Sequence, residues 1–242
     1  LRSWEHRLYG ILTPEVLAHP ALFGYYLADE PYWAGVPVKN LLAGYELLNR
    51  IDPYHPVWTN EAPRGTVDVL RIYGRATDVY GVDIYPVPYP NGHSALEDKN
   101  MTAVGAYTRR MLDVVDGRKP VLMTLQGFSW HALAGTDPGI AYPTAAELRF
   151  MTFDAIVSGS TGVAYWGMNH VLTPSFLETL FAQTRELAML RPWLTGGECV
   201  RDVAASDNPA IRVLTLKRGG KTMWIALNDS LTEQSDRKST RL

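Results

Sequence analysis

Short apolar segments alternate with helical patterns along most of the chain. Each segment is rich in Val, Tyr, Leu or Trp, and each is followed by apolar positions that recur at helical spacing. This alternation predicts βα units and a parallel sheet. The predicted strands are 22–28, 57–60, 79–85, 121–125 and 162–167.

The helices between these strands carry recognisable start and stop signals. Pro37 is typical of a first helical residue, and Asp52-Pro53 ends that helix. Thr144 followed three residues later by Glu147 predicts a capping box and therefore a helix start. Further helices are predicted near 67–75, 104–115 and 175–190.

Two loops of the predicted fold carry polar and aromatic residues. One holds Tyr89, Pro90, Asn91, Gly92 and His93; the other is long and holds Trp130, His131, Gly135 and Pro138. Long loops in compact domains are usually functional or disordered. This second loop is therefore a candidate functional segment.

The pattern changes after residue 195. Residues 211–216 and 223–227 predict two antiparallel strands, with Gly219-Gly220 in the turn between them. We interpret 1–195 as the α/β domain and 196–233 as the start of a small antiparallel β-module. Residues 234–242 are polar and unpatterned, look like a translated adaptor, and are excluded from fold reasoning.

Composition and charge exclude several classes of function. The 242 residues are 46% hydrophobic and 20% charged, with a net charge of -2. There is no basic stripe, so nucleic acid is not expected as a partner, and no apolar run reaches the roughly 18 residues of a membrane span. The seven Trp and 13 Tyr are compatible with either a packed core or sugar-binding surfaces.

No cofactor or metal is predicted from the pattern of ligand residues. The single cysteine, Cys199, excludes an internal disulfide and a multi-cysteine metal site. No His, Cys and Asp set has metal-ligand spacing, and no glycine-rich phosphate loop is present. The chain begins with Leu1 and shows no signal pattern, so its front is expected to be missing. A secreted or periplasmic location is compatible with this, and the oligomeric state is left open.

The segment from Tyr25 to Pro31 reads Tyr-Tyr-Leu-Ala-Asp-Glu-Pro. It resembles the fourth-strand signature of the large glycosidase clan that includes β-galactosidases, β-mannanases and many cellulases. In that clan a polar residue at the strand end precedes the acid/base Glu, and Pro often follows. The resemblance extends over about residues 22–190.

Five βα units are compatible with two folds, and the resemblance favours one of them. The units alone fit an open five-stranded α/β sheet or a (β/α)8 barrel without its first three strands. Counting Glu30 as the end of strand four makes the last predicted strand number eight. That strand carries Trp166, where the clan often has an aromatic residue. The resemblance therefore implies an N-terminally truncated TIM barrel holding strands four to eight.

The same resemblance implies a glycoside hydrolase with Glu30 as general acid/base. Glycoside hydrolysis usually takes two carboxyl groups, and Asp29 beside Glu30 would raise a pKa by like-charge repulsion. The clan's nucleophile position on strand seven is Gln126, a neutral amide. Asp83, ahead of Glu61, is the candidate second carboxylate.

Two other outcomes follow from the substituted nucleophile. The substrate could supply its own nucleophile with Gln126 holding it, or the protein could be a non-catalytic carbohydrate-binding barrel. A barrel with unrelated hydrolytic chemistry is a third hypothesis. The predicted substrate-binding residues are Asp29, Asn60, Tyr85, Gln126, Trp130 and Trp166, with His131 as a weaker candidate.

Overall fold

A five-stranded parallel sheet organises the larger part of the chain. The computed structural model describes residues 2–89, 96–134, 142–171, 173–200 and 206–230. The strands are β1 (Tyr25–Asp29), β2 (Val57–Glu61), β3 (Val79–Ile84), β4 (Val121–Gln126) and β5 (Gly162–Trp166). They lie side by side in chain order, as strands of a (β/α)8 barrel do, whereas a doubly wound sheet reverses its order.

Helices connect and cover these strands. They are α1 (Arg2–Ile11), α2 (Pro14–Leu17), α3 (Val38–Ile51), α4 (Val67–Tyr73), α5 (Ala103–Val114), α6 (Trp130–Ala134), α7 (Ala145–Val157) and α8 (Pro174–Gly196). The capping box of α7 is confirmed: Glu147 N donates to Thr144 Oγ1 at 3.2 Å, and Thr144 N donates to Glu147 Oε2 at 2.7 Å. No helix of the described residues is long and apolar enough to cross a membrane.

The hydrophobic core lies between one face of the sheet and the helices. Alternate strand residues point to opposite faces, and those facing the helices are buried and apolar: Tyr80, Val82, Ile84, Val121, Met123 and Leu125. Each such side chain stabilises the fold by about 1.5–3 kcal/mol. The other face carries the polar residues Asn60, Asp83 and Thr124.

The β-module is a three-stranded antiparallel sheet of β6 (Glu198–Cys199), β7 (Ile211–Arg218) and β8 (Lys221–Asn228). Gly219 and Gly220 have φ of 55° and 73°, as a tight hairpin turn requires. Arg212 of β7 binds both Asp229 and Asp154 of α7. Asp154 is completely buried, so this ion pair joins the module to the larger sheet domain.

Several predicted boundaries were wrong. The first strand begins at Tyr25 rather than residue 22, and the short strand β6 was not predicted. Residues 130–134, assigned to a long loop, form the helix α6. The last helix runs past residue 190 to Gly196, with Pro192 inside it. Pro90–His93, Gly135, Pro138 and the 234–242 tail lie outside the described residues.

Candidate functional site

A cleft of about 290 Å³ lies at the carboxyl ends of all five parallel strands. This is the end at which TIM-barrel enzymes carry their active sites. The lining residues are Tyr26, Asp29, Glu30, Trp58, Asn60, Asp83, Tyr85, Thr124, Phe128, Trp130, Leu133 and Trp166. Seven of the eight residues predicted for the site are therefore brought together here; the exception is Gln126.

The centre of the cleft holds a pair of carboxyl groups. Glu30 and Asp83 both line the cleft, and each affects the ionisation of the other. Burial and the Glu30 charge raise the pKa of Asp83, while hydrogen bonding from Tyr85 opposes that rise. Burial and the Asp29 charge raise the pKa of Glu30. The pKa of Asp83 rises to about 8, so the pair retains a proton near neutral pH.

The backbone that carries Glu30 adopts an uncommon conformation. Glu30 has φ of 44°, in the left-handed region that non-glycine residues rarely occupy. Two hydrogen bonds support it: Glu30 N donates to Asn60 O at 2.7 Å, and Ala34 N donates to Glu30 O at 2.8 Å. Such outliers cluster at functional sites, where the surrounding structure stabilises them.

Strand β1 reaches the cleft through a β-bulge. Its register with β2 shifts between Tyr26 and Ala28, and bulges of this kind re-aim side chains. As a result both Tyr26 and Asp29 line the cleft, although they are three residues apart. The Tyr26 hydroxyl donates to Asp29 Oδ1 at 2.5 Å, which holds that carboxyl group in place.

Strand β2 supplies Trp58 and Asn60, and β3 makes room for them. A Cβ on Gly81 would lie 2.7 Å from Trp58 Nε1 and 2.8 Å from Asn60 Oδ1, so only glycine fits beneath both side chains. Asn60 Oδ1 accepts a hydrogen bond from Thr124 Oγ1 at 3.0 Å. Trp58 Nε1 is buried and lacks a hydrogen-bond partner among the described residues.

Aromatic rings form the opposite wall. Tyr85 and Trp166 stack with centroids 5.9 Å apart and an interplanar angle of 30°. Phe128 meets Trp130 and Trp166 edge-on, each at 5.0 Å between centroids. Trp166 remains 41% exposed, so part of its ring is available to a ligand.

The side-chain amide of Gln126 hydrogen-bonds to the backbone of Val87 and Phe128. It is fully buried, its Oε1 accepts from Val87 N at 2.9 Å, and its Nε2 donates to Val87 O at 2.8 Å and Phe128 O at 3.1 Å. The geometry therefore gives no support to Gln126 as a substrate contact. A glutamate in its place would lose both donated bonds and face two carbonyl oxygens.

Glu61, the second choice for a catalytic carboxylate, lies on the helix side of the sheet. It is fully buried, accepts from Tyr32 N at 3.2 Å and contacts the Tyr80 hydroxyl at 2.9 Å. Burial raises its pKa to about 7. His131 lies on α6 and is not among the cleft residues.

Sequence reasoning missed five residues of the cleft: Tyr26, Trp58, Thr124, Phe128 and Leu133. The period of two on a strand could have found Trp58 from Asn60 and Thr124 from Gln126. Tyr26 was hidden by the bulge. Phe128 and Leu133 follow the end of a strand, where no simple period applies.

Solved structures of other proteins have folds similar to that of this chain. A cold-adapted β-galactosidase from Rahnella sp. R3 is similar at 14% identity with a TM-score of 0.51, covering 82% of this chain and 40% of that one. A Bacteroides thetaiotaomicron VPI-5482 protein, provisionally described as an α-L-fucosidase, is similar at 10% identity and a TM-score of 0.51. That match covers 78% of this chain and 60% of the other.

A β-galactosidase from the psychrophilic Marinomonas ef1 is similar at 14% identity with a TM-score of 0.45. The match covers 64% of this chain and 27% of that one, so this chain spans only part of the length of these proteins. No family model matches the chain, and no curated protein matches it. The likeness supports a fold of the glycoside-hydrolase kind, and at these identities it shows the fold alone.

Proposed function

We propose that this chain forms part of the barrel of a glycoside hydrolase, with Glu30 as the acid that protonates the leaving oxygen. The observation that carries the proposal is the Glu30–Asp83 pair, two carboxyl groups with raised pKa values in a cleft lined by aromatic rings. Aromatic rings pack on the apolar faces of sugars. An acid with a raised pKa is the group that glycosidic cleavage requires near neutral pH.

The two carboxyl groups have different roles in this proposal. Glu30 is half-buried and faces the cleft, whereas Asp83 is only 7% exposed. Burial and the Glu30 charge raise the pKa of Asp83 to about 8, so this group is largely neutral near pH 7 and is a poor nucleophile. In this proposal Asp83 therefore acts as the proton partner of Glu30, and another group attacks the sugar.

The open edges of the sheet favour a barrel that is completed by further strands. Among the described residues, β1 pairs only with β2, and β5 pairs only with β4. Unpaired edges attract other strands. Three more strands between β5 and β1 would close an eight-stranded barrel and would cover Tyr26, which is 51% exposed.

A second candidate function is carbohydrate binding without cleavage. The observation that favours it is Gln126, whose amide is fully used in holding the backbone of Val87 and Phe128. The fourth strand of this sheet therefore offers no carboxylate to the cleft. Unchanged oligosaccharides after long incubation, together with measurable binding, would favour this function.

The test is hydrolysis of a panel of oligosaccharides by the full-length polypeptide that contains this chain. Glu30→Gln removes the proton and keeps the shape of the side chain. General acid catalysis contributes roughly 10²–10⁴-fold, so sugar release should fall by that factor while binding is retained.

Glu46→Gln is the matched control, because Glu46 lies on the exposed face of α3. Its rate should equal that of the unmodified protein. Undiminished sugar release by Glu30→Gln would overturn the assignment of Glu30.

A further inference from the structure

A side lobe of about 170 Å³ extends from the cleft past the carboxyl pair. It shares Glu30, Asp83, Tyr85 and Trp130 with the main cleft and adds Trp33 and Arg64. The lobe therefore starts at the proposed reaction centre. Its new wall brings a cation to a site that is otherwise acidic and aromatic.

The Arg64 guanidinium is held in a fixed position. Its Cζ lies 3.5 Å from the centroid of the Trp33 ring, and cation–π stacking of this kind orients the planar group. The neighbouring Gly65 has φ of 84°, and a Cβ there would lie 2.8 Å from the Tyr32 ring. The loop that presents Arg64 thus depends on glycine packed against the preceding loop.

Arg64 keeps its hydrogen-bonding capacity for a ligand. Within the described ranges, its side chain forms no ion pair and no hydrogen bond. Burial and the Asp29 charge raise the pKa of Glu30, and the Arg64 charge opposes that rise. A guanidinium presents donors in a fork that matches a carboxylate or a sulfate.

A second arginine continues the cationic surface outward. An open groove beyond the lobe shares Trp33, Pro63 and Arg64 with it and is also lined by Arg110 and Glu97. Arg110 lies over the Tyr107 ring at 5.5 Å, and its Nε is buried with no hydrogen-bond partner among the described residues. Glu97 is the acidic side chain on this groove, so the two arginines leave it with a net positive charge.

We propose that the side lobe at Arg64 is a subsite for a sugar unit bearing an anionic group, a carboxylate as in a uronic acid or a sulfate ester. The subsite rests on the proposed carbohydrate function and specifies its substrate class. The anionic group would bind the Arg64 fork, the sugar ring would pack against Trp33 or Trp130, and neighbouring units would extend into the main cleft.

Binding of an anion there would also act on the catalytic pair. The Arg64 charge opposes the rise in the pKa of Glu30 that burial and the Asp29 charge cause. A bound carboxylate or sulfate would offset the Arg64 charge, raise the pKa of Glu30 and favour its protonated form. An acidic sugar unit would therefore favour the protonated form of the general acid Glu30.

The test is calorimetric binding of paired oligosaccharides to the same full-length polypeptide. Two members of each set differ only at C6, which is a hydroxymethyl group in one and a carboxylate in the other. A third member of the set carries a sulfate ester. The protein should bind an anionic member roughly ten- to a hundredfold more tightly than the neutral one. The relative affinities of the uronate and the sulfate ester show which anionic group the subsite prefers.

Arg64→Gln should abolish this preference, and Arg64→Lys should keep only part of it. Arg75→Gln is the matched control, because Arg75 is exposed at the opposite ends of the strands, before β3; it should keep the preference in full. Proton uptake on binding the anionic member, measured in buffers of different ionisation enthalpy, should disappear in Arg64→Gln.

Two results would overturn the inference, and they are distinguishable. Equal binding of neutral and anionic members, unaffected by Arg64→Gln, would reject the anionic subsite and leave the carbohydrate function standing. Failure of every glycan to bind the folded protein would reject both.

Discussion

The buried contacts of Glu61 predict that the stability of the fold depends on pH. The Tyr80 hydroxyl lies 2.9 Å from Glu61 Oε1 and 3.1 Å from Leu70 O, and its single hydrogen can serve only one of them. A protonated Glu61 resolves this conflict: it donates to Tyr80, which donates to Leu70, while Tyr32 N donates to Oε2. The neutral acid therefore fits the site better than the carboxylate.

This preference makes the fold more stable at low pH. The pKa of Glu61 is about 7 in the folded protein against an ordinary 4.5. A raised folded-state pKa stabilises below the unfolded value, and that stabilisation is lost as the pH rises through the folded value. At about 1.4 kcal/mol per unit, the unfolding free energy should fall by about 2.5 kcal/mol between about pH 5 and pH 8 from this group.

Glu61→Gln should remove the pH dependence. The amide donates to Tyr80 and accepts from Tyr32, so the contacts remain and the titration disappears. Chemical denaturation of the protein, of Glu61→Gln and of the exposed control Glu46→Gln across this pH range measures the effect. The free-energy gap between Glu61→Gln and the other two should widen as the pH rises; parallel profiles would refute the reasoning.

Three further changes probe other parts of the structure. Gln126→Glu, which restores a carboxylate at the strand end, should lower the unfolding free energy by about 3 kcal/mol without creating activity, because it buries a charge against two carbonyls; faster sugar release would contradict this. Gly81→Ala should weaken glycan binding and cost about 1–3 kcal/mol of stability by displacing Trp58, and calorimetry with denaturation would detect both. Arg212→Ala should cost about 3 kcal/mol, more at neutral than at acidic pH, because it leaves the buried Asp154 charge without its partner; an equal loss in exposed Arg218→Ala would show that the ion pair is not responsible.

The order of the elements was predictable because each follows from a local pattern. Strands buried on the helix side show apolar residues at alternate positions, and caps such as Thr144–Glu147 mark helix starts. The last helix was predicted to end at residue 190, but it continues through Pro192 to Gly196. A proline inside a helix removes one backbone hydrogen bond, and apolar spacing alone does not show whether the helix continues past it.

The cleft was predictable where its residues stand at strand ends. Parallel strands bring their carboxyl ends together, so Glu30, Asp83 and Trp166 could be grouped without coordinates. The orientation of Glu30 could not be predicted, because it depends on the left-handed backbone of Glu30 and on the bulge before it. Gln126 shares the strand-end position but turns its amide to the backbone.

The central claim is that Glu30 supplies a proton to the leaving oxygen of a sugar. The most direct measurement compares two glycosides of one sugar, one with a natural sugar leaving group and one with an activated aryl leaving group that needs no proton. Glu30→Gln should lose roughly 10²–10⁴-fold of kcat/KM on the natural glycoside and keep most of its rate on the activated one. Equal losses on both, or no loss on either, would contradict the claim.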